Sequence, residues 1–229
     1  MSSNTPKKDI RTLGYVLKRT NYGEADRILN LITPQGKIAV IAKGVRKEKS
    51  KLAGGIEMFT LADFNIHIGR SELGVMTSAR MRKYYGNIVK DFNQMELAAM
   101  MLKKINKVAE NSDNPEYFKI IDQSLAELDA GDTSGLVEAW FLMNLARATG
   151  EEINLYRDMG GEKLVAGVRY LWNTAESAFA KDKGGEFGAD EIKMLRLILT
   201  TDLEVIKRVK INGELAEKMV RFARMASQV

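Results

Sequence analysis

Along the first third of the chain, apolar and polar residues alternate with a period of two. Leu13, Tyr15 and Leu17 alternate with Thr12, Gly14 and Lys18, which predicts a half-buried strand. Residues 21–23 read as a loop, and 25–33 (ADRILNLIT), nearly apolar throughout, as a second strand. Residues 33–36 (TPQG) put Pro and Gly at the second and fourth positions of a type I turn, so a third strand at 37–43 completes a hairpin. In a fourth strand, 59–68, Phe64, Ile66 and Ile68 oppose Asn65, His67 and Gly69. After a turn at 69–72, Leu73, Val75, Thr77, Ala79 and Met81 mark a fifth. Five short strands with turns between them predict a small closed barrel of the OB or SH3 type.

From residue 90 the period becomes helical. Asn93 and Glu96 have capping-box spacing ahead of an apolar face at Leu97, Met101, Ile105 and Val108. Asn114-Pro115 opens a second helix that carries Tyr117, Phe118, Ile121, Leu125 and Leu128 and ends at Gly131. A third helix runs over 136–149, with Trp140, Phe141 and Leu145 inward and Gly150 as its stop. Residues 151–189 are Gly-rich, and 164–172 fits a strand pair or a helix equally well. Helical signals return with Asp190 as an N-cap, then a short amphipathic stretch at 203–209 and a last helix capped at Asn212. The expected class is therefore α+β and multi-domain. An N-terminal barrel domain covers 1–87, and an α-helical domain with a Gly-rich, cysteine-free insertion covers 88–229.

Composition narrows the chemistry. The chain has no Cys and one His, His67, which excludes a disulfide framework, a thiolate metal site and a conventional zinc centre. That usage fits a reducing cytoplasm. No apolar run is long enough to span a bilayer, and the first residues (MSSNTPKKD) read as a polar tail with no secretory signal. Charge is split unevenly: residues 1–87 hold 16 Lys and Arg against 7 Asp and Glu, whereas 88–229 hold 19 against 23. A basic half joined to a mildly acidic one suggests that one end meets a polyanion.

The densest cationic run follows the third strand. Lys43, Arg46, Lys47, Lys49 and Lys51 stand against the single acid Glu48, with Gly44 as the hinge. A strand anchored in a core that delivers cations into a loop is suited to holding a phosphate backbone. In an OB barrel the ligand lies across strands two and three and the one-two and four-five loops, which adds Lys18, Arg19, Arg27, Lys37 and Arg70. Tyr15, alternating with Leu13 and Leu17, reads as core; Tyr22, in a loop, is the aromatic open to bases. His67 reads as solvent-facing and idle. There is no phosphate-binding Gly-rich loop ending in Lys-Ser or Lys-Thr, and no nucleophile with a matching base. Catalytic residues, metals and cofactors are therefore not expected.

Three blocks carry a family resemblance: residues 14–38 (GYVLKRTNYGEADRILNLITPQGKI), 42–55 (AKGVRKEKSKLAGG) and 59–79 (FTLADFNIHIGRSELGVMTSA). In order and spacing they resemble the RecO family of bacterial recombination mediators, and the later layout of helices around a Gly-rich insertion is similar in outline. The resemblance implies an OB-fold, a non-enzymatic role, and binding of single- and double-stranded DNA. It also implies annealing of complementary strands, and contacts with the C-terminal tail of SSB and with RecR, so that RecA is loaded indirectly. Many family members hold zinc with four cysteines in the insertion; this chain has none, which leaves packing around Tyr170, Trp172 and Phe187 to organise that region. An SSB tail, acidic and ending in apolar residues, would suit Lys103, Lys104 and Lys107 beside Leu97, Met101 and Ile105, with Arg147 and Arg157 as competitors. Two other readings remain at this level: an RNA-binding OB protein of the translation machinery, and a metal-dependent nuclease using Glu24, Asp26 and Glu57.

Overall fold

The computed structural model describes residues 8–69, 73–110, 113–131, 135–151, 153–209 and 211–227. The alternating segments form β1 (Lys8–Tyr22), β2 (Asp26–Thr33), β3 (Gly36–Ala42), β4 (Thr60–Ile68) and β5 (Gly74–Tyr84). These close into a ring in the order β1-β2-β3-β5-β4, OB-like, with β3 and β5 parallel and the other pairs antiparallel. β1 serves two neighbours. Its first half pairs with β4 and its second with β2, and a register shift between Val16 and Lys18 lets it turn the corner. Asn21 and Tyr22 pair with Arg27 and Asp26, so the loop expected at 21–23 begins only at Gly23. Leu29, Leu31, Val40, Phe64 and Ile66 fill the interior, each at most 1% exposed. The turn expected at 69–72 lies largely outside the described residues, and Arg70 with it.

The helical period becomes α1 (Phe92–Val108), α2 (Glu116–Asp129), α3 (Leu136–Ala148), α4 (Ala189–Thr200), α5 (Leu203–Ile206) and α6 (Gly213–Ala226), with β6 (Tyr170–Asn173) and β7 (Ala178–Lys181) in the insertion. Two caps differ from expectation. α1 is capped by Asp91, which accepts from the Gln94 N–H at 3.0 Å, two residues before Asn93. α4 starts after Gly188, whose N–H donates to Glu191 at 2.9 Å, so Asp190 lies inside the first turn. Asn114 and Asn212 do cap α2 and α6, accepting from Glu116 N–H at 3.0 Å and Leu215 N–H at 2.8 Å.

The described chain divides into two compact units, one ending at Leu125 and one beginning at Ala126. In the first, α1 and the start of α2 pack against the barrel. Tyr15 is 1% exposed, with its ring 5.7 Å from Phe118 on α2. Its hydroxyl donates to Asp122 and meets the Tyr85 hydroxyl at 2.8 Å. Burial, then these two neighbours, push that hydroxyl far above its ordinary pKa, so it stays protonated as a donor. The last turn of α1 sits on the outer side of β2 and β3. Asn30 Nδ2 donates to Asn106 Oδ1 at 2.9 Å, and Lys37 Nζ donates to the Asn106 carbonyl at 2.7 Å.

In the second unit α3 is the axis. All residues from Leu136 to Ala146 are buried, not only the stripe through Trp140, Phe141 and Leu145, because α4 and α6 cover its other sides. Two polar side chains on α3 are satisfied there. Glu138 accepts a two-pronged bond from Arg224 at 2.6 and 2.9 Å, and Asn144 donates to the Ile198 carbonyl at 3.0 Å. In the insertion, 164–172 is neither a helix nor a strand pair by itself. Only its end, from Tyr170, is a strand, and its partner is β7.

Candidate nucleic-acid interface

The basic run after β3 is not a loose arm. Val45 is 4% exposed and Ile56 fully buried, both in the barrel core, with Leu52 and Met58 packed beside them. The stretch is thus tethered at both ends and plugs one mouth of the barrel. Between the tethers it folds as successive turns, with Lys47 N–H donating to Gly44 O at 3.1 Å and Ser50 N–H to Lys47 O at 3.0 Å. Gly44 takes φ of +63°, a left-handed conformation that costs a side-chain-bearing residue about 1–2 kcal/mol. Burying Val45 and Ile56, with Leu52 half-buried beside them, forces the residues between them outward. Lys43, Arg46, Lys47, Lys49 and Lys51 are all exposed and form a cationic crest.

The crest is joined to the β1–β2 loop. Arg46 N–H donates to the Ala25 carbonyl at 2.9 Å, Arg46 Nη1 to the Gly23 carbonyl at 3.3 Å, and Gly44 N–H to Asp26 Oδ1 at 2.7 Å. These bonds bring Tyr22, 54% exposed, to the same end of the barrel as the crest. Arg27 lies there too, its Nε donating to Asn21 Oδ1 at 3.2 Å. The apolar spacing 45–52–56 inside a basic run was the signal for the plug, one that a charge-based reading passes over.

Other candidates are placed differently. Arg19 pairs with Glu57 at 2.8 Å. Lys18 is exposed on β1 with no ion pair among the described residues. Lys37 is occupied at the C-terminal end of α1, where a cation also meets the negative pole of the helix. The outer β2–β3 surface, across which an OB ligand was expected to lie, is therefore partly covered by α1. His67 is not idle, since its Nδ1 lies 2.7 Å from Asp9 Oδ1. The nuclease grouping dissolves: Glu57 is paired with Arg19, Asp26 with the Gly44 N–H, and no metal-holding cluster of carboxylates exists among the described residues.

For Lys103, Lys104 and Lys107 the expected apolar neighbours are missing, because Met101 and Ile105 are fully buried in the packing of α1. Lys103 and Lys107 are exposed, and Lys104 already takes part in a contact. Arg157 is tied to its own loop, donating to the Gly161 carbonyl at 2.7 Å. Arg147, by contrast, borders a cleft of about 520 Å³ with Ile153, Tyr156 and Leu199 in its wall. Arg196 closes over the Tyr156 ring at 4.7 Å.

Zinc does not fit the insertion. The chain has no Cys, and the space between hairpin and helix is filled by Tyr170, Trp172, Phe179, Phe187 and Phe222. Phe179 stacks on Phe222 at 5.8 Å, and Trp172 meets Phe222 edge-on at 4.9 Å. Edge-to-face and offset rings at such distances add about 0.5–1.5 kcal/mol per pair beyond area burial.

Comparison with known proteins agrees with the geometry. Residues 8–85 match the family described as Recombination protein O N terminal, and residues 89–228 match Recombination protein O C terminal. A curated relative from Dehalococcoides mccartyi, called DNA repair protein RecO, is 30% identical over 227 residues, covering 94% of this chain and 88% of the relative. Proteins of the same name from Alkaliphilus metalliredigens (27% identical, 92% and 89% covered) and a Roseiflexus strain (28%, 87% and 68%) are also similar. No helix among the described residues is long and apolar enough to cross a membrane. With both halves matched and a cationic crest on an OB-like barrel, the chain belongs to the RecO family of DNA repair and recombination proteins, which are non-enzymatic mediators that bind DNA.

Proposed function

We propose that this protein binds single- and double-stranded DNA through the barrel mouth and anneals complementary strands without nucleotide hydrolysis. In doing so it helps load RecA onto strands covered by SSB. The observation that carries the reading is the crest: five exposed cations held outward by buried Val45 and Ile56, beside an exposed Tyr22. Annealing requires two polyanions to approach while their bases stay free to pair. Lys and Arg supply the screening by displacing counterions, and they do so without reading sequence. Lys18 and Arg27 extend the contact along the strands below. In the second unit, the cleft beside Arg147 suits the apolar, carboxylate-ended SSB tail better than the face of α1 does, because Ile153 and Leu199 remain accessible there. RecR is the further partner in this reading.

The test is annealing of two complementary strands pre-coated with SSB, without ATP. The wild type is compared with a variant in which Arg46, Lys47, Lys49 and Lys51 are Ala. Rapid annealing lost in the variant supports the reading. Annealing kept by the variant moves the site off the crest, and no annealing by the wild type refutes the mediator mechanism for this chain.

A further inference from the structure

Four large apolar side chains stand out in solvent where β5 leads into α1. Phe92 is 71% exposed, Met81 52%, Tyr84 48% and Val89 41%. Burying large apolar side chains is favourable, so several left exposed along one short stretch point to something that covers them. The charges around them are mostly cationic. Arg80, Lys83 and Lys90 are exposed, against the exposed acid Glu96, a turn along α1 from Phe92. Asp91 accepts the Gln94 N–H as the α1 cap, and Asp63 is held by Arg82, whose hydrogen bond keeps its carboxyl below the usual range. The Lys83 ammonium sits 4.4 Å over the Tyr85 ring, which fixes the cation close to the junction.

The plug that carries the crest touches β5. The backbone at Gly55, in the 3-10 turn that ends the plug, lies directly on β5; a Cβ there would fall 2.6 Å from the Ala79 carbonyl carbon and oxygen. The next residue of β5 is Arg80, which is exposed.

We propose that the path of a single strand runs from the crest across β5 to this junction, where unpaired bases stack on Tyr84 and Phe92. The proposal rests on the nucleic-acid reading of the crest and extends it. Exposed aromatics set among cations suit a polyanion that also offers flat apolar faces. A single strand offers both, whereas a duplex keeps its base faces stacked inside. The two ends of the path are built alike, Tyr22 among Arg27, Lys43 and Arg46 at one, Tyr84 and Phe92 among Arg80, Lys83 and Lys90 at the other. A strand held at both ends presents the intervening bases to its complement.

The experiment is fluorescence anisotropy with labelled oligothymidylates of about 6 and about 25 nucleotides, one near the lower end and one beyond the upper end of the site sizes of single OB folds. Wild type is compared with Y84A/F92A and with Y84L/F92L at one salt concentration. Both variants should bind the short oligonucleotide like wild type and lose at least about tenfold in affinity for the long one. Equal affinity of variant and wild type for both lengths overturns the proposal, as does an equal loss at both lengths. Retention of long-strand affinity by the leucine variant overturns base stacking. A change in sedimentation of the free protein in the alanine variant overturns it too, by assigning the patch to a contact between copies of the chain. If the wild type binds neither length, the nucleic-acid reading of the crest itself fails.

Discussion

Changing Arg46, Lys47, Lys49 and Lys51 to Ala removes four of the five crest cations and leaves Lys43. The structure sets the count. Arg19 is neutralised locally by Glu57 and Lys37 is held on Asn106, so neither belongs with the crest, whereas the five crest side chains are exposed. Each phosphate neutralised on a single strand contributes about −0.7 to the slope of log affinity against log salt, so losing four crest cations should flatten the slope by roughly 2.8, whatever the cations outside the crest contribute. Between 50 and 200 mM salt, the wild type should then lose about 50-fold more affinity for a single strand than the variant does. Anisotropy titrations with an unlabelled-sequence control, at four or five salt concentrations, measure both slopes. None of the four side chains lies in the barrel core, and the one structural bond lost is the exposed Arg46 Nη1 bond to the Gly23 carbonyl, so melting temperature should change little and serves as the control for folding. Equal slopes in the two proteins would refute the argument, because they would mean that the phosphates are neutralised elsewhere.

Further outcomes follow from the packing. Phe179→Ala opens the aromatic cluster of the insertion and should destabilise by about 3–5 kcal/mol in urea unfolding, while a chelator leaves the wild-type melting temperature where it was; a drop on chelation would show that a metal organises this region after all. Burial works against ionisation of Glu191, but bonds from Lys218 at 2.8 Å and the Gly188 N–H outweigh it and hold its carboxyl below the usual range. Its stabilising effect is therefore complete above the ordinary carboxylate range and fades as pH falls through the lowered pKa. Glu191→Gln should thus be less stable than wild type at pH 7, with the gap narrowing in acid, as measured by thermal melts across pH; a gap independent of pH would contradict the linkage. Gly55→Ala places a methyl against the Ala79 backbone and should lower the melting temperature by several degrees, since neither backbone can yield without parting the plug from β5.

Much of the barrel was legible because a two-residue period has one structural meaning when one face is buried. Phe64, Ile66 and Ile68 could not alternate with Asn65 and His67 in a helix without scattering apolar groups round it. Helix ends were legible where the capping side chain acts locally, as at Asn114 and Asn212. They are not legible at Asn93 and Asp190, where a suitable residue stands two positions from the one whose backbone geometry lets it cap. The crest was visible as a run of charge, but its form was not. Val45 and Ile56 look like incidental apolar residues until the barrel mouth they fill is closed by strands far away in the chain.

What the sequence determined by itself was local in origin: the change of period near residue 90, the β2–β3 hairpin, the excess of cations before residue 87 and the absence of thiol ligands. The tertiary structure decided which of those cations face solvent. Lys37, in β3, and Lys49, in the run that follows it, are both lysines, yet one is spent on a helix end and the other stands on the crest. That difference arises because α1, more than sixty residues downstream, docks its last turn on Asn30 and Lys37. It likewise decided that α3 is buried on every side and that Tyr84 and Phe92 are not. Burial depends on which other elements arrive to cover a face, and a pattern read along one segment carries no record of them.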